Sequence, residues 1–99
     1  MEIIKNLEGD VLTIGLVGKL DSNTAPELES ALDGAYEGIK TLIWDFKELK
    51  YLSSAGLRIL LSAQKIMSKQ GRMVLRHVND IIMETFDMTG FSSILETEE

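Results

Sequence analysis

Two serines stand directly before an apolar run at helical spacing in Ser53-Ser54-Ala55-Gly56-Leu57-Arg58-Ile59-Leu60-Leu61. A hydroxyl at the mouth of a helix has two uses. It can cap the unpaired amides of the first turn, or it can carry a phosphate, which meets those same amides and the positive end of the helix. With Ser54 as the cap of a helix over 55–69, a phosphate leaves the fold intact and adds dense negative charge to a flat, partly apolar surface. A partner docking an uncharged or acidic surface there is expelled. Capping is the simpler reading, and modification stays open beside it. A second polar cluster, Asp21-Ser22-Asn23-Thr24, follows an apolar segment.

Other chemistry finds little support. The single histidine, His77, falls at the end of a strand-like segment, and no G-x-S-x-G occurs, so a serine nucleophile lacks its base and its elbow. A small hydrolase using Ser54, with Asp21 nearby, is therefore the weakest of the function classes considered. With no cysteine, neither a disulfide framework nor a thiolate metal site is available. Asp21, Asp45 and Asp87 do not have the spacing of a cation loop, and Asp45 and His77 read as strand-end residues. Neither G-x-G-x-x-G nor a glycine–lysine phosphate loop is present, so no metal and no cofactor is expected.

Ninety-nine residues allow one domain, 1–99, with 44% hydrophobic and 26% charged residues. The net charge of −6 argues against direct nucleic-acid binding, and Lys65, Lys69 and Arg72, with Arg76 further on, read as a solvated helix face. No apolar run is long enough to span a membrane and the first residues do not resemble a secretion signal, so no membrane association and a cytoplasmic location are expected.

The positioning elements follow from periodicity. Ile3–Leu7 and Val11–Val17 alternate as strands around the turn Glu8-Gly9-Asp10, forming a hairpin with Leu12, Ile14 and Leu16 on one face. Residues 18–23 read as a polar connection. Thr24-Ala25-Pro26-Glu27 reads as a capping box, followed by the stripe Leu28, Ala31, Leu32 and Ala35, with Gly38 closing the helix. Thr41–Phe46 is a buried strand, and Leu49–Leu52 leads into the serines. After the helix, stopped at Gly71, Met73–Arg76 is a strand. Asn79 caps a third helix with Val78 and Met83 as a hydrophobic staple, Met88 reads as packing or as the fringe of a contact surface, and Gly90 ends the helix. Phe91–Leu95 reads as a last strand, followed by a polar tail over 96–99. The order is β-β-α-β-α-β-α-β: an α/β domain whose mixed sheet has an N-terminal hairpin, mostly parallel following strands and flanking helices. In such a sheet, Asp21-Ser22-Asn23 and Ser53-Ser54 both follow strands and share the carboxyl edge.

The assembled motifs resemble the anti-sigma factor antagonists and their relatives that share the STAS domain. Gly18-Lys19-Leu20-Asp21 with Thr24-Ala25, Asp45-Phe46 and Leu49 with Tyr51-Leu52-Ser53-Ser54-Ala55-Gly56-Leu57, and Phe86-Asp87-Met88-Thr89-Gly90-Phe91 are similar, in order, to the family's signatures over essentially the whole chain. The resemblance implies a non-catalytic STAS-like domain. Unphosphorylated, it binds an anti-sigma factor that is also a serine kinase and so releases a sigma factor. Phosphorylation by that kinase ends the binding, and a metal-dependent serine phosphatase resets it.

Carried over, Ser54 matches the phosphoacceptor, two positions before Gly56. Ser53 occupies the place of a common aspartate and is a rival acceptor, and Ala55 stands where a second serine is frequent. Asp21 matches the loop aspartate. With Asp21, residues Ser22, Asn23 and Thr24 and Ser53, Ala55, Gly56 and Leu57 make up the implied partner-binding patch, and a monomer is the default expectation for the free chain. A STAS scaffold that binds constitutively is the alternative.

Overall fold

Alternating burial of Leu12, Ile14 and Leu16 in the strand Val11–Leu20 (β2) sets the register on which the other strands assemble. A computed structural model describes residues 1–98. β1 (Glu2–Glu8) pairs antiparallel with β2 across Gly9, at φ +63°, giving the expected hairpin with slightly longer arms. On its other side, β2 pairs parallel with two strands in succession. Its first half, Val11–Gly15, lies against β3 (Thr41–Asp45), and its second half, Gly18–Leu20, lies against β4 (Leu49–Leu52). β3 continues to β5 (Arg72–Arg76) and then to β6 (Thr97–Glu98), all parallel.

β4 and the continuation of β2 to Leu20 both differ from the sequence expectation, which made 18–23 a connection and left 49–52 unassigned. The register shifts between Gly18 and Lys19, where Gly18 sits at φ +110°. This irregularity lets the strand leave β3 and meet β4, a device that Gly-Lys spacing does not reveal. The observed order is therefore β1-β2-α1-β3-β4-α2-β5-α3, a 3-10 turn at Phe91–Ser93, and β6.

The helices α1 (Ala25–Leu32), α2 (Ser54–Gln70) and α3 (Asp80–Thr89) pack on the Leu12/Ile14/Leu16 face. Leu28 and Leu32, Leu57, Leu60, Ala63 and Met67, and Ile82 and Phe86 join one core with Leu42, Trp44, Met73 and Leu75. Ile43 and Val74, also buried, stand outside that core on the other face of the sheet. There Arg72 pairs with Glu96 and Arg76 with Glu98, across β5 and the segment of β6. The expected basic helix face thus keeps Lys65 and Lys69, while the two arginines belong to a strand.

Three boundaries depart from periodicity. α1 ends at Leu32, not Gly38, because Asp33 turns extended and Gly34 takes φ +75°. The connection that follows is held by Gln70, whose Nε2 donates to the carbonyls of Tyr36 (2.7 Å) and Ile39 (2.8 Å). Phe91–Leu95 is not a strand. Gly90, at φ +79°, ends α3, and the amides of Ile94 and Leu95 both return to the carbonyl of Phe91. The last strand instead forms from the expected polar tail, whose final residue, Glu99, lies outside the described residues. Asn79 does cap α3, accepting from the Ile82 amide at 2.8 Å while its Nδ2 donates to the Leu49 carbonyl at 3.1 Å.

Gly71 does more than stop α2. A Cβ there would lie 1.8 Å from the backbone oxygen of Lys40, where the Arg72 amide also bonds at 2.9 Å. The obstacle is backbone, so it cannot rotate away. Gly71→Ala is expected to lower unfolding stability by about 1–3 kcal/mol, measured by urea denaturation. An unchanged midpoint would contradict this close approach.

Candidate functional site

Parallel pairing of Leu20 with Leu52 brings the ends of β2 and β4 side by side, and the Ser53 amide extends the ladder by donating to the Leu20 carbonyl at 2.9 Å. The Asp21–Thr24 loop and the start of α2 therefore emerge together at one carboxyl edge of the sheet, as the sequence led us to expect.

The loop is closed by its own side chains. Asp21 Oδ1 accepts from the amides of Asn23 (2.9 Å) and Thr24 (3.1 Å). Thr24 Oγ1 accepts from the Asp21 amide at 2.9 Å and donates to the Lys19 carbonyl at 2.8 Å. Thr24 is thus no capping box: its hydroxyl turns back to β2, and α1 has no side-chain cap. The Thr24 amide holds the Asp21 carboxyl below its ordinary value against a desolvation penalty. The Asn23 amide, the Thr24 hydroxyl and the charge of Lys19 act in the same direction as the Thr24 amide. Asp21 and Thr24 are half-buried, while Ser22 and Asn23 are exposed at the loop tip.

At α2 the N-cap falls one residue earlier than expected, at Ser53 and not at Ser54. Ser53 is the N-cap, with extended φ −92° and ψ 176°, and Ser54 is the first helical residue. Ser53 Oγ makes no capping bond and is buried without a partner. Ser54 is exposed. The first intrahelical bond runs from the Leu57 amide to the Ser53 carbonyl at 3.0 Å. The amides of Ser54, Ala55 and Gly56 precede it, and no side chain caps this positive end of a 17-residue helix.

Gly56 sets how close this turn comes to the strands. A Cβ there would meet Leu52 Cδ1 at 2.6 Å and Leu20 Cγ at 2.8 Å. Gly56 and Leu57 are buried and build the surface from below; Ala55 is half-buried at its rim.

The remaining polar candidates lie apart from the serines. His77, a non-glycine residue at φ +59°, places Nδ1 2.9 Å from Asp45 Oδ1, which also accepts from the Lys47 amide at 3.0 Å. Desolvation would raise the Asp45 carboxyl, but the His77 and Lys47 hydrogen bonds and charges outweigh it and hold the group below its ordinary value. Among the described residues, no three His, Asp or Glu side chains gather as a cation site, and no helix is long and apolar enough to cross a membrane. Met88, expected to pack or to fringe a contact surface, is 80% exposed on α3, which excludes packing, and lies seven residues from the exposed Ile81. Periodicity places these two on one helix face, but only the packed structure shows that the face is uncovered.

Residues 2–99 match the family model of the STAS domain. The chain is 34% identical over 96 residues to the anti-sigma-B factor antagonist of Listeria monocytogenes, covering 94% of this chain and 83% of that protein. In fold it is similar to an anti-sigma factor antagonist from Mycobacterium paratuberculosis, with TM-score 0.87, 21% identity and coverage of 97% and 83% of the two chains. It is also similar to the Bacillus cell fate determinant SpoIIAA in its phosphorylated form, with TM-score 0.76, 19% identity and coverage of 99% and 92%.

Thr24→Ala removes both bonds of a partly buried hydroxyl and is expected to cost about 1–2 kcal/mol, with Thr24→Ser retaining most of it. Equal denaturation midpoints for the alanine variant and the native chain would contradict the closed loop. Because folding depresses the Asp21 carboxyl, its stabilisation is complete above the unfolded value near 3.8 and is lost as pH falls through the lower folded value. Asp21→Asn should therefore flatten the acid limb of the stability–pH curve and leave its slope near neutrality unchanged.

Proposed function

Since the chain belongs to the STAS domain family, we propose that it is a protein-binding regulator switched by phosphorylation at Ser54. Unphosphorylated, it docks an anti-sigma factor that is also a serine kinase and so releases a sigma factor. The observation that carries the reading is the contrast between the two serines at one helix mouth: Ser54 exposed on the first helical residue, and Ser53 Oγ buried. A kinase must reach the hydroxyl it modifies, which favours Ser54. The antagonist name of the Listeria relative supports the regulator reading, and the phosphorylated form of SpoIIAA, a protein of similar fold, supports a phosphorylation switch.

The docking surface joins Ser22 and Asn23, at the tip of the loop shaped by Asp21 and Thr24, to Ser54 and Ala55, with Ser53, Gly56 and Leu57 beneath. A phosphate on Ser54 adds about −1.5 to −2 charges at neutral pH. The uncapped amides of α2 and its dipole receive that charge without unfolding the domain. The partner, packed against a surface that was neutral at this point, loses its fit and gains an unpaired charge at the contact. The chain itself performs no catalysis: it is the substrate of the kinase and of a metal-dependent phosphatase that restores the hydroxyl.

Capture of the partner with Ser54→Ala, followed by titration, tests the switch. Ser54→Ala is expected to bind like the unmodified chain and Ser54→Asp at least about tenfold more weakly. Equal affinity of the two variants would replace the switch by a constitutive scaffold.

A further inference from the structure

Arg58 lies four residues after Ser54 on α2, and both are exposed. Residues so spaced share a helix face, and because helical side chains lean toward the N-terminus, the later residue extends back over the earlier one. An anion one turn N-terminal to a cation is also the favourable orientation of such a pair. Among the described residues, Arg58 has no carboxylate at ion-pair distance. Glu29 of α1 and Asp33, which follows it, line the same shallow groove between α1 and α2 as Arg58, yet neither engages it. α2 itself contains Arg58, Lys65 and Lys69 and no acidic residue. The guanidinium one turn from the modified hydroxyl is therefore uncommitted.

We propose that Arg58 is the intramolecular receptor for a phosphate on Ser54, closing a charge-assisted pair along the helix surface. The inference rests on the Ser54 reading for its use in the cell, but its geometry concerns any phosphate at that position. Its regulatory consequence is specific. Before modification, Arg58 is available to a carboxylate of the docking partner. After modification, the chain's own phosphate occupies its fork of donors. One phosphate then both places a charge in the interface and withdraws a contact from it. The positive N-terminal end of α2 adds to the attraction.

The test uses the full chain with phosphoserine introduced at position 54 during translation, which needs neither the kinase nor the partner. Phosphorus NMR follows the second ionisation of the phosphate in three proteins: native at 58, Arg58→Gln, and Lys65→Gln. Lys65 lies 11 positions along α2 from Ser54, about 16 Å along the axis. With Arg58 present the ionisation is expected below its ordinary value of about 6. Arg58→Gln should raise it by roughly 0.3 pH units or more, while Lys65→Gln leaves it within about a third of that shift. Identical titration with and without Arg58, or an equal shift from Lys65→Gln, would overturn the pair. Neither result would touch the assignment of Ser54 as the acceptor, which stands or falls on modification in cells.

Discussion

The parallel pairing between the last residues of β2 and the four residues of β4 is the constraint on which the site depends. Leu20 lies opposite Leu52, and the Ser53 amide closes on the Leu20 carbonyl. These bonds fix where the chain leaves the sheet on both sides at once. The Asp21–Thr24 loop follows β2 directly and α2 follows β4 after Ser53 alone. Since Leu20 and Leu52 are both buried, a slip of the pairing would expose two core leucines and move both loops.

Close approach brings α2 down onto that edge. Gly56 lets the first turn of α2 rest on Leu20 and Leu52, and Gly71 lets its last turn rest on the Lys40 carbonyl. The helix is therefore held at both ends by places where a side chain does not fit. Electrostatics adds direction. In a chain of net charge −6, α2 carries three basic residues, no acidic one, and an uncapped positive end at Ser54. A phosphate attached there meets stabilising dipoles within its own domain while changing what the surface presents to another protein.

Much of this was legible in the residues, and what was not has identifiable physical reasons. The hairpin and α2 announced themselves by strong period-two and period-3.6 patterns, and Asn79 and Gly90 by their cap chemistry. The ordered motifs carried the family. β4 was illegible because four residues with only Leu49 and Leu52 buried have too short a pattern to separate from a loop. The end of β2 was illegible because Gly18-Lys19 reads as a turn unless its partner strand is known. α1 stopped early at a local choice of Asp33 and Gly34 that an apolar stripe does not record. Both serines were legible, but the N-cap falls one residue earlier than expected, at Ser53. One residue of helix phase decides which hydroxyl is buried, and that phase is set by β4, the element the pattern missed.

The central claim is that Ser54, exposed at this edge, and not Ser53, whose hydroxyl is buried, carries the signal. Site-resolved mass spectrometry of the protein taken from its native cells in several growth states tests it most directly. The account predicts a single phosphate on Ser54 whose occupancy changes with state. A phosphate on Ser53, or a chain unmodified in every state in which its kinase partner is present and active, would contradict it.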